Sequence, residues 1–129
     1  MMFRVARHTT DLNRIIDFYG RILGLKVLGE IKNHNNYDCV FLGIPGSDWH
    51  LEFTVSDALP VHQPDIDDML VFYTKSVEEF NTLKNKFIAG KIKHVEPKNV
   101  YWKRNGITFE DPDGFRIVLT IAIDKSVAL

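Results

Sequence analysis

Seven side chains in this sequence carry groups able to bind or act on a small molecule: Arg4, His8, His50, Glu52, Tyr73, Trp102 and Arg116. His50 and Glu52 stand two apart in His50-Leu51-Glu52-Phe53, so on a strand they share one face. Imidazole and carboxylate offer lone pairs to a divalent ion, and histidine also suits acid–base chemistry near neutral pH. The guanidinium groups of Arg4 and Arg116 present a fork that matches carboxylate or phosphate. Tyr73 and Trp102 supply aromatic surface suited to a planar or apolar ligand. What these groups do together depends on the elements that bring them to one surface.

Met2 to Thr9 reads as a strand, after which Asp11 opens a helix. Leu12, Ile15, Ile16, Tyr19, Ile22 and Leu23 recur at the spacing of one helical face, and Gly24 is its stop. In the second half Met69 to Thr74 is a strand, and Ser76-Val77-Glu78-Glu79 is a capping box. Val77, Phe80, Leu83 and Phe87 follow on one face, and Gly90 closes the helix. Leu12, Ile15, Phe18 and Ile22 stand 65 positions before Val77, Phe80, Leu83 and Phe87. The offset then becomes 66, so that Gly24 matches Gly90 and Glu52 matches Val118. Two turns, around Pro45-Gly46-Ser47-Asp48 and Asp111-Pro112-Asp113-Gly114, each feed an alternating strand. Each half is therefore strand, helix, three strands, too small to cover its own sheet. The expected fold is α+β: two βαβββ repeats forming a curved, roughly eight-stranded mixed sheet with the helices on the outer face. One domain, 1–129, would comprise repeat one (2–55), a Pro- and Asp-containing linker (56–67) and repeat two (68–123).

Alternation assigns the faces. Phe3, Val5, Leu51, Phe53, Val55, Leu70, Phe72, Ile117, Leu119 and Ile121 should pack under the helices. That sends Arg4, Ala6 and His8, His50, Glu52 and Thr54, Met69, Val71 and Tyr73, and Arg116, Val118 and Thr120 to the other side. Such a side is either a solvated sheet face or, if the sheet curves, a mainly apolar pocket with a few convergent polar groups. His34 lies on a polar turn, at a pocket mouth or in solvent. Tyr101 and Trp102 precede the seventh strand, as cavity wall or core. Cys39, in an apolar strand, reads as a small buried hydrophobe, and Asp111-Pro112-Asp113-Gly114 as a turn rather than a catalytic group.

Bulk properties exclude several classes. A chain of 129 residues with 45% apolar and 26% charged residues is ordinary for one soluble domain. A net charge of -1 gives no electrostatic footprint for nucleic acid or an anionic membrane. One cysteine cannot form an internal disulfide, and there is no long apolar N-terminal segment, so a cytoplasmic location is expected. No phosphate-cradling glycine loop, Cys/His zinc spacing or Gly-x-Ser-x-Gly elbow is present.

Three blocks in order carry a family likeness: Asp11-Leu12-Asn13-Arg14-Ile15-Ile16-Asp17-Phe18-Tyr19 leading to Leu23-Gly24-Leu25, then His50-Leu51-Glu52-Phe53, then Phe109-Glu110-Asp111-Pro112-Asp113-Gly114-Phe115. Over nearly its whole length the chain resembles the vicinal-oxygen-chelate superfamily of glyoxalases, bleomycin-resistance proteins and extradiol dioxygenases. Tyr37-Asp38, His50-Leu51-Glu52-Phe53-Thr54 and Tyr101-Trp102 resemble a bacterial subgroup, the YycE-like proteins. The resemblance implies four metal-ligand positions on the first and last strands of each repeat, held here by Arg4, Glu52, Met69 and Val118. Only Glu52 can ligate a hard cation: a guanidinium has no lone pair, a thioether is a poor donor to such an ion and an isopropyl group is none. The strands of Arg4 and Glu52 should be neighbours, so the guanidinium would be neutralised by Glu52 or offered to an anionic ligand.

The resemblance thus implies a small-molecule-binding protein, without the usual divalent metal and without another cofactor, its ligand unknown. Arg4, His8, His50, Glu52, Tyr73, Trp102 and Arg116 would line the pocket, and the chain would form a homodimer without nucleic-acid or membrane partners. One alternative is a metal-dependent lyase, isomerase or dioxygenase with an atypical site at His8, His50 and Glu52. Another is a degenerate fold acting as an interaction module.

Overall fold

Asp11 starts the first helix because its carboxylate accepts from the backbone N–H groups of Asn13 and Arg14. The computed structural model, which describes residues 1–122, places a single α-helical turn next, α1 (Leu12–Ile15). The chain then widens into a π-helical segment, Ile16–Ile22, in which Leu23 N–H donates to the Phe18 carbonyl five residues back. This departs from the expected regular helix. The wider turn lays Phe18 beside Tyr19 in the core, while Leu12 and Ile16 are only half-buried. Gly24 ends the segment with φ at +95°, a conformation costly for any residue with a Cβ.

Among the described residues eight strands follow the expected order: β1 (Phe3–His8), β2 (Lys26–His34), β3 (Tyr37–Gly43), β4 (Trp49–Val55), β5 (Met69–Thr74), β6 (His94–Val95), β7 (Ile107–Glu110) and β8 (Arg116–Ile121). They form two four-stranded mixed sheets of the same topology, β1-β4-β3-β2 and β5-β8-β7-β6, with the first pair of each parallel and the others antiparallel. The fold is α+β, two βαβββ units, with the eight strands divided four and four. The chain separates into Met1–His62 and Gln63–Leu129. Ile123, the last residue assigned to repeat two from sequence, lies outside the described residues.

In the first unit Ile15, Phe18, Tyr19, Ile22 and Leu23 pack onto Val40, Leu42, Leu51 and Phe53, with the Tyr19 and Phe53 rings 5.0 Å apart. The helical segment lies over β4, β3 and β2, leaving the edge strand β1 largely uncovered. Phe3, expected in the core, is consequently 63% exposed.

In the second unit helix α2 (Val77–Ala89) packs on β5 and β8. Phe87 is buried against Phe109, ring centroids 4.6 Å apart, whereas Val77, assigned to the packed face, is exposed. Ser76 caps α2 by accepting from Glu79 N–H, and the Glu79 carboxylate reaches back to Lys75 N–H rather than to Ser76. The helix ends at Gly90, but it is Lys91 that takes the positive φ, +56°. Gly24 and Gly90 therefore match in sequence and differ in conformation. The two turns do agree: Gly46 and Gly114 have φ of +82° and +87°. Asp111 behaves as a turn residue, its carboxylate accepting from Asp113 and Phe115 N–H.

A third helix, α3 (Val100–Asn105), is absent from the sequence-based expectation. Asn99 caps it by accepting from Tyr101 N–H, and it packs on β7 and β8. Among the described residues no helix is long and apolar enough to cross a membrane.

Candidate functional site

Strand register fixes the open face of the first unit. In the parallel pair, Arg4 lies beside His50 and Ala6 beside Glu52. In the antiparallel pair, Gly43 lies beside His50, Phe41 beside Glu52 and Cys39 beside Thr54. Alternation then puts Arg4, His50, Glu52, Phe41 and Cys39 on the side away from the helical core.

Arg4 is the centre of this group. Its Nε–H donates to His50 Nε2 at 2.8 Å, and its Nη1 stands 3.6 Å from Glu52 Oε2. The guanidinium carbon lies 5.0 Å above the Phe41 ring centroid, a cation–π contact. Phe41 meets His50 edge-to-face at 5.8 Å. Gly43 lets Leu28 and His50 approach its backbone: a Cβ there would come 3.0 Å from Leu28 Cδ1 and 3.1 Å from His50 Cβ.

Because Arg4 donates, His50 Nε2 presents its lone pair to the guanidinium, which leaves Nδ1 to carry the ring proton. Half of the Arg4 side chain is exposed, while that of Glu52 is only 15% exposed. The positive group is thus the outer one. Cys39 lies half-buried beside them; burial raises its thiol pKa first, the charges of Glu52 and Asp38 raise it further, and Arg4 partly opposes them.

The other expected site residues are placed less closely. His8 shares the Arg4 face, but its Nε2 is 3.0 Å from Ser56 Oγ, its carbonyl accepts from His62 Nε2 at 2.7 Å, and its ring is 6.5 Å from Tyr37. Among the described residues no three His, Cys, Asp or Glu side chains are grouped to hold a metal, so His8, His50 and Glu52 do not assemble as a ligand set. A polar groove of about 330 Å³, lined by Asn33, Asn36, Asp38, Val55, Ser56 and Asp57, lies at the hairpin end. The register pair Asp38 and Val55 belongs to the sheet side opposite Arg4, so this groove is separate from the Arg4 group.

In the second unit, register sets Met69 beside Arg116, Val71 beside Val118 and Tyr73 beside Thr120. Met69 therefore occupies the topological place of Arg4, Arg116 that of His50 and Val118 that of Glu52. Tyr73 is exposed, and Arg116 donates from Nη1 to the Glu96 carbonyl at 3.1 Å. Trp102 sits on α3, edge-on to Tyr101 at 4.8 Å, half-buried. Val118, assigned to a cavity wall, is instead fully buried. Gly106 closes over it: a Cβ on Gly106 would lie 2.8 Å from both Val118 Cγ1 and the Leu119 carbonyl. Thr120, on the same side, donates its hydroxyl to the Asn105 carbonyl.

Sequence reasoning missed Phe41, Gly43 and the α3 cover. Cys39-Val40-Phe41-Leu42 is an unbroken apolar run, which hides alternation, and only the pairing register shows that Phe41 shares the Arg4 face.

A duplicated βαβββ fold with conserved turn geometry and chemistry-bearing strands β1 and β4 defines a member of the vicinal-oxygen-chelate superfamily of glyoxalases, resistance proteins and extradiol dioxygenases. Within it, residues 3–54 match the YycE-like N-terminal domain and residues 67–120 the YycE-like C-terminal domain. The chain belongs to the YycE-like family. It is 44% identical over 118 residues to the uncharacterized protein YycE of Bacillus subtilis (strain 168), covering 89% of this chain and 84% of that one. The crystal structure of a YycE protein of unknown function from Bacillus subtilis superposes with a TM-score of 0.86 at 41% identity, covering 97% of this chain and 92% of that one. The trypanothione-dependent glyoxalase I of Leishmania major gives a TM-score of 0.73 at 25% identity, over 94% and 86% of the two chains.

The divalent cation of metal-dependent superfamily members does not fit this chain. In the first unit the guanidinium of Arg4 takes the Nε2 lone pair of His50 and pairs with Glu52. In the second, Val118 is sealed in the core and Met69 carries only a thioether. No step is derived through a metal.

Proposed function

We propose that the protein binds a small molecule without a divalent metal, at the face where Arg4, His50 and Glu52 converge. The observation that carries this reading is the hydrogen bond from Arg4 Nε to His50 Nε2 at 2.8 Å, with Glu52 beside it. A fixed cation bonded to one candidate ligand and paired with another supplies the positive charge that relatives obtain from an ion. Phe41, Ala6 and Cys39 give the face an apolar floor. Two-sided chemistry, polar groups above an apolar base, is what small-molecule sites use. His8 lies farther along the same strand.

The protein would work in the cytoplasm as a homodimer. Support for self-association comes from the exposed apolar side chains on edge strands: Val27 and Leu28 on β2 and Phe3 on β1.

The experiment is a thermal-shift screen of metabolites and antibiotics, run with and without a chelator. A compound that binds the native state raises the melting temperature in proportion to the logarithm of its excess over Kd. The reading expects at least one hit whose shift is the same in chelator. Hits that vanish with chelator and return with nickel, zinc, manganese or iron would overturn it.

A further inference from the structure

The chemical class of ligand can be narrowed from the same face, an inference that rests on the reading above. Arg4 has five N–H bonds, of which Nε–H is committed to His50 and Nη1 faces Glu52 beyond hydrogen-bond distance. Neither Nη2 nor the outer edge of the fork has a protein partner among the described residues. Half of the side chain is open to solvent. The guanidinium is held on three sides, by His50, by the carboxylate below and by the Phe41 ring, so its orientation costs little further entropy on binding. A fixed guanidinium edge is a two-point receptor for one oxyanion.

The surroundings say what the oxyanion is attached to. Register carries Ile31 beside Cys39 and Gly29 beside Phe41 on the same sheet face. Gly29 leaves the Phe41 ring uncovered on that side; a Cβ there would touch Phe41 Cδ2 at 3.6 Å, ordinary contact. Ala6, Phe41, Cys39 and Ile31 thus form an apolar floor next to the guanidinium, and Ile31 is 40% exposed.

Glu52 sets the charge. Its carboxylate is already within 3.6 Å of the guanidinium, so a second negative charge on the ligand would gain little attraction and face direct repulsion. We infer that the first unit binds a monoanion with a compact flat apolar body, an aromatic or branched monocarboxylate, its carboxylate on the Nη edge of Arg4 and its body on Phe41.

The test uses benzoate, the neutral isostere benzamide and inorganic phosphate as probes, titrated into the full chain and followed by backbone amide and arginine Nε–H shifts in NMR. Benzoate is expected to shift the Arg4 Nε–H and the amides of β1, β3 and β4. Benzamide should bind roughly tenfold or more weakly, the scale of losing a charge-assisted hydrogen bond, and phosphate should be weaker than benzoate. Arg4→Gln should abolish the discrimination. Glu52→Gln should tighten benzoate several-fold, an effect that a merely structural carboxylate would not produce. Gly29→Leu, at a position where a Cβ makes only ordinary contact with Phe41, should cover that ring and weaken benzoate while leaving Arg4 in place, and it keeps the test sharp if Arg4→Gln does not fold. Equal binding of benzamide and benzoate, or a Glu52→Gln variant no tighter than wild type, would overturn the monoanion assignment and leave the binding reading intact. No response to any probe, with hits in the metabolite screen, would also overturn it. A blank metabolite screen as well would remove the binding reading itself.

Discussion

Replacing Arg4 by methionine, the residue that occupies the same topological place in the second unit, isolates the electrostatic argument. At 3.6 Å and an effective dielectric of about 20, the Arg4–Glu52 attraction is at most about 4–5 kcal/mol. Half of the Arg4 side chain is exposed to solvent, so screening reduces the realised gain to about 1 kcal/mol. Removal also strands two groups: a Glu52 carboxylate that is only 15% exposed and has no hydrogen bond among the described residues, and the Nε2 of His50, a residue only 8% exposed. Unmatched polar groups of this kind cost about 1–3 kcal/mol in all. Arg4→Met should therefore destabilise the first unit by about 2–4 kcal/mol, Glu52→Met by less, and the double variant by less than the sum of the two, since it still strands His50 Nε2 but leaves no unpaired carboxylate. The assay is urea unfolding of the full chain in a Trp102→Phe background, so that Trp49 at the head of β4 reports the first unit. An Arg4→Met variant within about 0.5 kcal/mol of its parent, with additive effects in the cycle, would mean that Arg4 and Glu52 are not coupled.

Two further outcomes follow from the packing and from the charges. Gly106→Ala places a methyl 2.8 Å from both Val118 Cγ1 and the Leu119 carbonyl, so β7 and β8 must part; overpacking of this kind costs about 1–3 kcal/mol, seen as a lower melting temperature, and an unchanged one would show that Gly106 does not seal this face. Burial, then Glu52 and Asp38, hold the Cys39 thiol protonated to higher pH than an ordinary thiol. Its contribution to stability is present below the unfolded thiol's pKa and is lost as pH rises through the folded value. Iodoacetamide should consequently label native Cys39 more slowly than the unfolded chain at mildly alkaline pH, and more slowly still in Arg4→Met; labelling as fast as in the unfolded chain would contradict the assigned surroundings.

The legible parts of the molecule were those where one pattern dominates. On β4 the contrast between Leu51 and Phe53 and between His50 and Glu52 is strong, and the observed register puts the latter pair with Arg4. The duplication was legible because two turns and two helix faces recur in order, and both turn glycines adopt positive φ. Phe3 was misplaced because apolarity does not reveal how far a helix reaches across a sheet, and this one stops short of β1. The π-helical turn was invisible because its side-chain spacing over seven residues mimics a regular helix. Helix α3 is only six residues long, too short for apolar periodicity, and its one local sign is the Asn99 cap. The hairpin turn at Asn35 and Asn36, both at positive φ, does specify a tight β2–β3 connection. Bulges at Ile31/His34 and Val27/Gly29 then shift the register, so Phe41 could not be assigned to a face by counting from that turn.

If the Arg4 guanidinium stands in place of a metal ion, elemental analysis of the purified, dialysed full chain will reveal it. Nickel, zinc, manganese and iron should each stand far below one ion per chain, with no recovery on adding these ions back. A stoichiometric ion that survives dialysis and is lost on replacing Glu52 would contradict it.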